Sequence, residues 1–117
     1  MELSVIVVSY NAGGSLRGCL SSALADLKSS GLESDAEIVV VDNNSSDPEI
    51  ENVRNEIGFV EWISLPQNLG FSAGVNRGVA SSSGKVVFLL NPDCEIQPGF
   101  FSTILKLYKS NQSYSVI

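Results

Sequence analysis

Apolar and polar positions along this chain follow two different rhythms. Four runs are apolar or nearly so: Leu3–Ser9 (LSVIVVS), 36–41 (AEIVVV), 59–65 (FVEWISL) and 85–90 (KVVFLL). Short apolar runs rich in β-branched and aromatic residues, bounded by turn formers, predict strands, and continuous ones predict strands buried on both faces. The 59–65 run has the weaker pattern, with Trp62 inside it and Pro66 closing it. Between the runs the rhythm becomes helical. Leu16, Cys19, Leu20, Ala23, Leu24 and Leu27 recur at three- and four-residue spacing, which predicts an amphipathic helix capped by Ser15 and stopped by Gly31. Asp47-Pro48 predicts the N-cap and first position of a short helix, with Ile50, Val53 and Ile57 on one face and Gly58 at its end. Phe71, Val75 and Val79 predict one face of a further helix, and Pro98 opens a last one with Phe101, Ile104, Leu105 and Tyr108 inward.

Strands alternating with helices imply an α/β fold, a parallel sheet with helices on both faces. Right-handed crossovers then predict the strand order third, second, first, fourth, with the Leu3–Ser9 and 85–90 strands as neighbours in the middle. Residues 114–117 (YSVI) read as the start of another strand. A cut strand leaves ladder groups unpaired, so 1–117 is expected to be the truncated N-terminal part of a longer domain.

Each of three strands hands over to polar residues: Ser9-Tyr10-Asn11, Asp42-Asn43-Asn44 and Asn91-Pro92-Asp93. Ligands of open parallel sheets bind outside the carboxyl ends of the strands. Acidic oxygens there suit a hard divalent cation, and the cation suits a diphosphate. The convergence predicts a nucleotide or sugar-phosphate site. Plainer alternatives stand beside it: Asn91-Pro92-Asp93 is only a turn, and Asp42 only caps its own turn. The stretch 68–78, NLGFSAGVNRG, holds three glycines and two asparagines. A glycine costs about 1 kcal/mol in an exposed helix interior, so these glycines predict close approach of a ligand or close packing of helix on sheet.

Composition narrows the function classes. A net charge of −6 argues against nucleic acid as a partner, because phosphate backbones are bound by basic patches. No apolar run approaches the roughly 20 residues of a membrane span. Met1-Glu2 offers no basic region ahead of the first apolar run, so no signal peptide is expected. Cys19 and Cys94 form no CxxC pair, which points to a reducing cytoplasm. The absence of histidine excludes serine–histidine or cysteine–histidine catalysis by this segment alone. No GxxxxGK[ST] or GxGxxG phosphate loop is present.

VSYN (8–11), VVDNNSSD (40–47), NLGFSAGVNRG (68–78) and LLNPD (89–93) together resemble the inverting nucleotide-sugar glycosyltransferases of family 2, above all their rhamnosyltransferase-like bacterial members. The resemblance spans nearly the whole chain. It implies a Rossmann-like GT-A fold whose first half binds the donor. Tyr10 is then expected against the base and Asp42 in a hydrogen bond to it, with Ser9, Asn11 and Asn44 among the donor-binding residues. Asn68, Gly70, Gly74 and Asn76 match the family's glycine–asparagine element beside the donor. Asn91-Pro92-Asp93 occupies the place of the family's DxD motif. Asp93 takes the metal and diphosphate contact; Asn91 replaces the first acid with an uncharged amide, and Glu95 falls past the site. A divalent metal, manganese or magnesium, is implied as cofactor.

The implied reaction moves a sugar from a nucleotide-diphospho-sugar, of dTDP-rhamnose or UDP-sugar type, to a polysaccharide or glycolipid acceptor. The implied general base is an Asp or Glu beyond Ile117, so this segment is expected to bind donor and transfer no sugar. The setting is cytoplasmic, extending to the inner face of the membrane. Two other classes compete. A sugar-phosphate nucleotidyltransferase wants a glycine-rich basic loop after the first strand, and 11–17 offers two glycines and one arginine. A receiver-type module wants a lysine at a later strand end, and none sits there.

Overall fold

A computed structural model of the chain describes residues 1–110. The elements run β1 (Leu3–Ser9), α1 (Gly13–Ser29), β2 (Ala36–Asp42), α2 (Glu49–Glu56), β3 (Glu61–Ser64), α3 (Phe71–Ser81), β4 (Val86–Leu89) and α4 (Phe100–Ser110). Residues 114–117, expected to begin a further strand, lie outside the described residues.

The strands form one parallel sheet in the order β3-β2-β1-β4, as expected. One detail differs. β4 pairs with β1 on one side and is the edge of the described sheet, not a middle strand. Its exposure follows from that place: Val86 and Val87 are buried, whereas Phe88 and Leu89 are half-buried. β1 and β2 occupy the middle, and their Val5, Val7, Ile38, Val39, Val40 and Val41 are shut off from solvent.

The chain steps one way along the sheet from β1 to β3 and then jumps back to β4. A right-handed crossover in each direction puts the connecting helices on opposite faces. Accordingly α1, α2 and α4 share a core with Leu3, Val5, Val7, Ile38 and Val40, while the other face carries Ile6, Val39, Val41 and Val87 under α3. The reversal makes the crevice between β1 and β4 the switch point of the sheet.

Helix ends depart from expectation in instructive ways. Ser15 does not cap α1; it lies inside the first turn and its Oγ donates to Ala12 O at 3.2 Å. The cap comes from far along the chain, because Asp47 Oδ2 accepts the Gly13 N–H at 3.2 Å. Gly31 does end the helix, at φ +71, with Gly31 N–H and Leu32 N–H returning to Lys28 O and Leu27 O. Asp47 also caps α2, accepting the Glu49 N–H at 2.9 Å. Arg17 of α1 then clamps α2 through Glu49 at 3.1 Å and Glu56 at 2.7 Å, and that contact holds the Glu56 carboxyl below its ordinary range.

The inward face of α3 is not Phe71, Val75 and Val79. Phe71 and Val79 are exposed, and Gly74 and Gly78 face the sheet. A Cβ on Gly78 would sit 2.5 Å from Ile6 Cγ2, and one on Gly74 would sit 2.7 Å from Val8 Cγ1. The helix therefore packs on β1 through backbone, the close-packing alternative for these glycines.

α4 is fixed from α1. Buried Asp26 accepts Gly99 N–H at 2.7 Å and Phe101 N–H at 2.9 Å, and Ser22 Oγ accepts Ile96 N–H at 2.8 Å. Phe101 and Leu105 are buried, and Phe88, Phe100 and Phe101 meet edge to face. Among the described residues no helix is long and apolar enough to cross a membrane.

Candidate functional site

Parallel strands end together, so the polar residues after β1, β2 and β4 meet on one rim. Ser9 and Asp42 are register partners across β1 and β2. Alternation along β1 turns Ser9 to the same face as Val5 and Val7. There its side chain is fully buried, and among the described residues its Oγ has no hydrogen-bond partner.

Asp42 is 7% exposed, and both of its carboxylate oxygens accept from Ser45, from the backbone N–H and from the hydroxyl. It therefore organises its own turn. Each carboxylate oxygen keeps a further lone pair for an outside donor. Tyr10 stands half-exposed beside the strand end, with its ring free to lie against a flat group. Asn44 is exposed and held at φ +62.

Asn11 is committed to structure. Its Oδ1 accepts from Ser46 N–H at 2.8 Å and Asp47 N–H at 3.1 Å, and its own N–H goes to Ser45 Oγ at 2.8 Å. It sits at φ +51, which an asparagine tolerates better than most residues. Its side chain ties the loop after β1 to the loop after β2.

The segment 68–70 closes over the end of β2. Asn68 Oδ1 accepts the Gly70 N–H at 2.9 Å, and Gly70 at φ +92 begins α3. Asn43, only 3% exposed, reaches this segment with both ends of its amide: Nδ2 donates to Gly70 O at 3.1 Å and Oδ1 accepts Leu69 N–H at 3.3 Å. Asn43 belongs to the polar strand end Asp42-Asn43-Asn44 but stands outside the donor-binding residues that the resemblance implied. The signal that would have found it is its place between Asp42 and Asn44, at the end of a buried strand. Asn76 departs from the group, exposed on the side of α3 opposite Gly74 and Gly78.

After β4 the chain turns at Asn91-Pro92-Asp93, closed by Cys94 N–H to Asn91 O at 3.1 Å. The same carbonyl accepts the Cys19 thiol at 3.5 Å. Burial, and after it the charges of Cys94 and Asp93, push the Cys19 thiol up to about 12, so it remains a thiol. The Asn91 and Asp93 side chains point into solvent, and among the described residues the Asp93 carboxylate meets only the Cys94 thiol, at 3.9 Å. Glu95 lies apart, its Oε1 3.1 Å from where a Cβ on Gly18 would stand.

Among the described residues no group of three or more His, Cys, Asp or Glu side chains is gathered to hold a metal ion. A free, exposed carboxylate fits a cation of another kind. Magnesium-type sites keep several waters and take one or two carboxylates plus substrate phosphates. Asp93 suits that sharing. An apolar groove of about 330 Å³ opens at the other end of the sheet, between Met1, Leu24, Leu27 and Phe59, and includes none of the rim residues.

The family description "Glycosyl transferase family 2" matches residues 4–117. A Campylobacter jejuni GalNAc(5)-diNAcBac-PP-undecaprenol beta-1,3-glucosyltransferase is 30% identical over 97% of this chain and 36% of its own length. An uncharacterized glycosyltransferase of Escherichia coli, YibD, is 28% identical over 91% of this chain and 30% of its own length. Among solved structures, S. aureus TarS 1-349 in complex with UDP-GlcNAc superposes with a TM-score of 0.83 at 22% identity, over 96% of this chain and 32% of that one. The fold is thus that of the GT-A glycosyltransferases. The chain spans about a third of the length of these relatives.

Proposed function

Because the chain belongs to glycosyl transferase family 2, we propose that it forms the donor-binding part of an inverting glycosyltransferase. The observation that carries this reading is Asp93. Its carboxylate stands in solvent at the carboxyl end of β4, beside β1 at the switch point of the sheet, with only the neighbouring Cys94 thiol on it among the described residues. The polar strand ends after β1 and β2, with Tyr10 exposed and Asp42 the register partner of Ser9, stand beside it and support the reading.

The donor is a nucleotide-diphospho-sugar. Asp42 accepts from an N–H of the base and Tyr10 lies on its face. Asp93 holds the diphosphate end, with the Asn91 amide beside it as an uncharged donor. What manganese or magnesium supplies there, when bound to Asp93 and the phosphates, is positive charge against the leaving diphosphate. An acceptor hydroxyl, from a glycan or a lipid-linked sugar, displaces the nucleoside diphosphate at the anomeric carbon in one step, which inverts that centre. None of this chain's residues is assigned as the base that takes the acceptor's proton, so the chain alone binds donor and transfers no sugar. Such a donor places the work in the cytoplasm, at the inner membrane face when the acceptor is lipid-linked.

Calorimetry of the chain with UDP and dTDP, with and without manganese, tests the reading. Wild type is expected to bind a nucleoside diphosphate more tightly with metal, and Asp93→Asn to lose that gain at an unchanged melting temperature. Equal metal-assisted binding by the two proteins would reduce Asn91-Pro92-Asp93 to a plain turn.

A further inference from the structure

We infer that Asn43 is a positioning residue for the donor site, holding the 68–70 segment as a fixed wall beside Asp42. This rests on the donor-binding reading above. The inference starts from burial. An asparagine amide with 3% exposure is costly unless its groups are paired, and here both ends are paired with backbone. Its own N–H goes to Ser9 O at 2.9 Å, which locks it to the end of β1 as well. One residue therefore ties together the end of β1, the end of β2 and the entry to α3.

The glycines beside it fit this role. Gly70 adopts φ +92, open to glycine and strained for other residues, and this turns its carbonyl to take both the Asn43 amide and the Gly74 N–H at 3.2 Å. A Cβ on Gly74 would stand 3.3 Å from Asn43 Nδ2. Gly74 thus leaves room for the amide that Gly70 receives. With the backbone pinned, Leu69 and Phe71 are held outward, 50% and 60% exposed. An apolar residue at either side of a clamped glycine is a preformed surface for the donor. Preformed surfaces bind more tightly because less ordering is left to binding.

The experiment combines calorimetry with UDP in manganese, thermal melting, and hydrogen exchange at the Leu69 and Gly70 amides. Asn43→Ala is expected to weaken UDP binding by about tenfold, the size of one or two lost hydrogen bonds, and to speed exchange at Leu69. Asn43→Asp keeps volume and the acceptor for Leu69 N–H but puts an oxygen against Gly70 O. It is expected to free the Gly70 carbonyl and to weaken UDP binding as well, and it is the variant to read if Asn43→Ala does not fold. A purely structural role lowers the melting temperature and leaves UDP affinity of the folded fraction unchanged; that result overturns the inference while donor binding stands. Failure of wild type to bind any nucleoside diphosphate overturns the donor reading, and this inference with it.

Discussion

Asp47 Oδ2 accepts the N–H of Gly13 at 3.2 Å, although 34 residues separate the two. The other oxygen of the same carboxylate caps α2 through Glu49 N–H at 2.9 Å. One side chain thus serves the amino ends of two helices, and a carboxylate there also meets their favourable dipoles. It further sets the loop after β2 against the loop after β1, where Asn11 meets it.

Asp47→Ala removes both caps together. Loss of one N-cap costs about 1 kcal/mol, so a cost of roughly 1–3 kcal/mol is expected for the pair. Urea unfolding measures it. Asp47→Asn is expected to recover part of the loss, since its amide oxygen still accepts. A cost below the value for one cap would show that the Gly13 contact contributes nothing.

Gly78→Ala and Gly14→Ala are expected to move stability in opposite directions. Both add a methyl to a helical glycine, which in open space stabilises by up to about 1 kcal/mol. At Gly14 nothing lies within 4 Å, so stabilisation is expected. At Gly78 the methyl would sit 2.5 Å from Ile6 Cγ2 in the core, and overpacking of about 1–3 kcal/mol outweighs the gain. Thermal melts of the two variants decide the point; a stabilised Gly78→Ala would mean that α3 is free to rise off the sheet.

Asp42→Asn is expected to weaken nucleoside diphosphate binding by roughly 1–3 kcal/mol, the worth of a charged hydrogen bond. The turn has a cost of its own, because the carboxylate receives both the hydroxyl and the N–H of Ser45. Ser45→Ala separates the two effects. It disturbs the turn and keeps the Asp42 charge, so it is expected to cost stability and to leave most of the affinity. Equal losses of affinity in the two variants would make Asp42 a scaffold residue only.

The two cysteines are expected to react differently. Cys94 is exposed and Cys19 is buried, so a thiol reagent at neutral pH labels one site per native chain and two after unfolding. The Cys19 thiol, raised from 9.0 to about 12 chiefly by burial, adds a pH dependence. A thiol more acidic unfolded than folded favours folding fully below pH 9 and loses that contribution as pH climbs towards about 12. Cys19→Ala is expected to flatten this part of the stability profile, at the cost of a small cavity. An unaltered profile would assign the alkaline loss to other groups.

The sheet was legible in the sequence because its signals come from side chains. Continuous valine and isoleucine runs announced β1 and β2, and alternation of rhythms set the order of strands. What escaped came from backbone or from distant partners. Apolar periodicity in α3 registers Phe71, Val75 and Val79 as one face, while the face that meets the sheet is Gly74 and Gly78, and a glycine that packs by having no side chain leaves no apolar mark. Ser15 looked like the cap of α1 because the residue that does cap it, Asp47, is far away in sequence. The rim was visible as three polar strand ends. The division of labour within it was not: Asn11 and Asn43 spend their amides on loops, and Asp93 keeps its carboxylate free.

The turn that carries Asp93 is moored at both ends and, between them, by the Asn91 carbonyl that accepts the Cys19 thiol. Leu90 N–H is tied to Ile6 O on the β1 side, and Ile96 N–H is tied to Ser22 Oγ on the α1 side. The span between them is therefore of fixed length, while the side chains of Asn91, Asp93 and Glu95 hang from it without holding the molecule together. Charge at this position is then open to change by substitution and closed to change by insertion. The asparagine at position 91 asks nothing of the framework, and an acid placed there would alter what the rim attracts while leaving these moorings as they are.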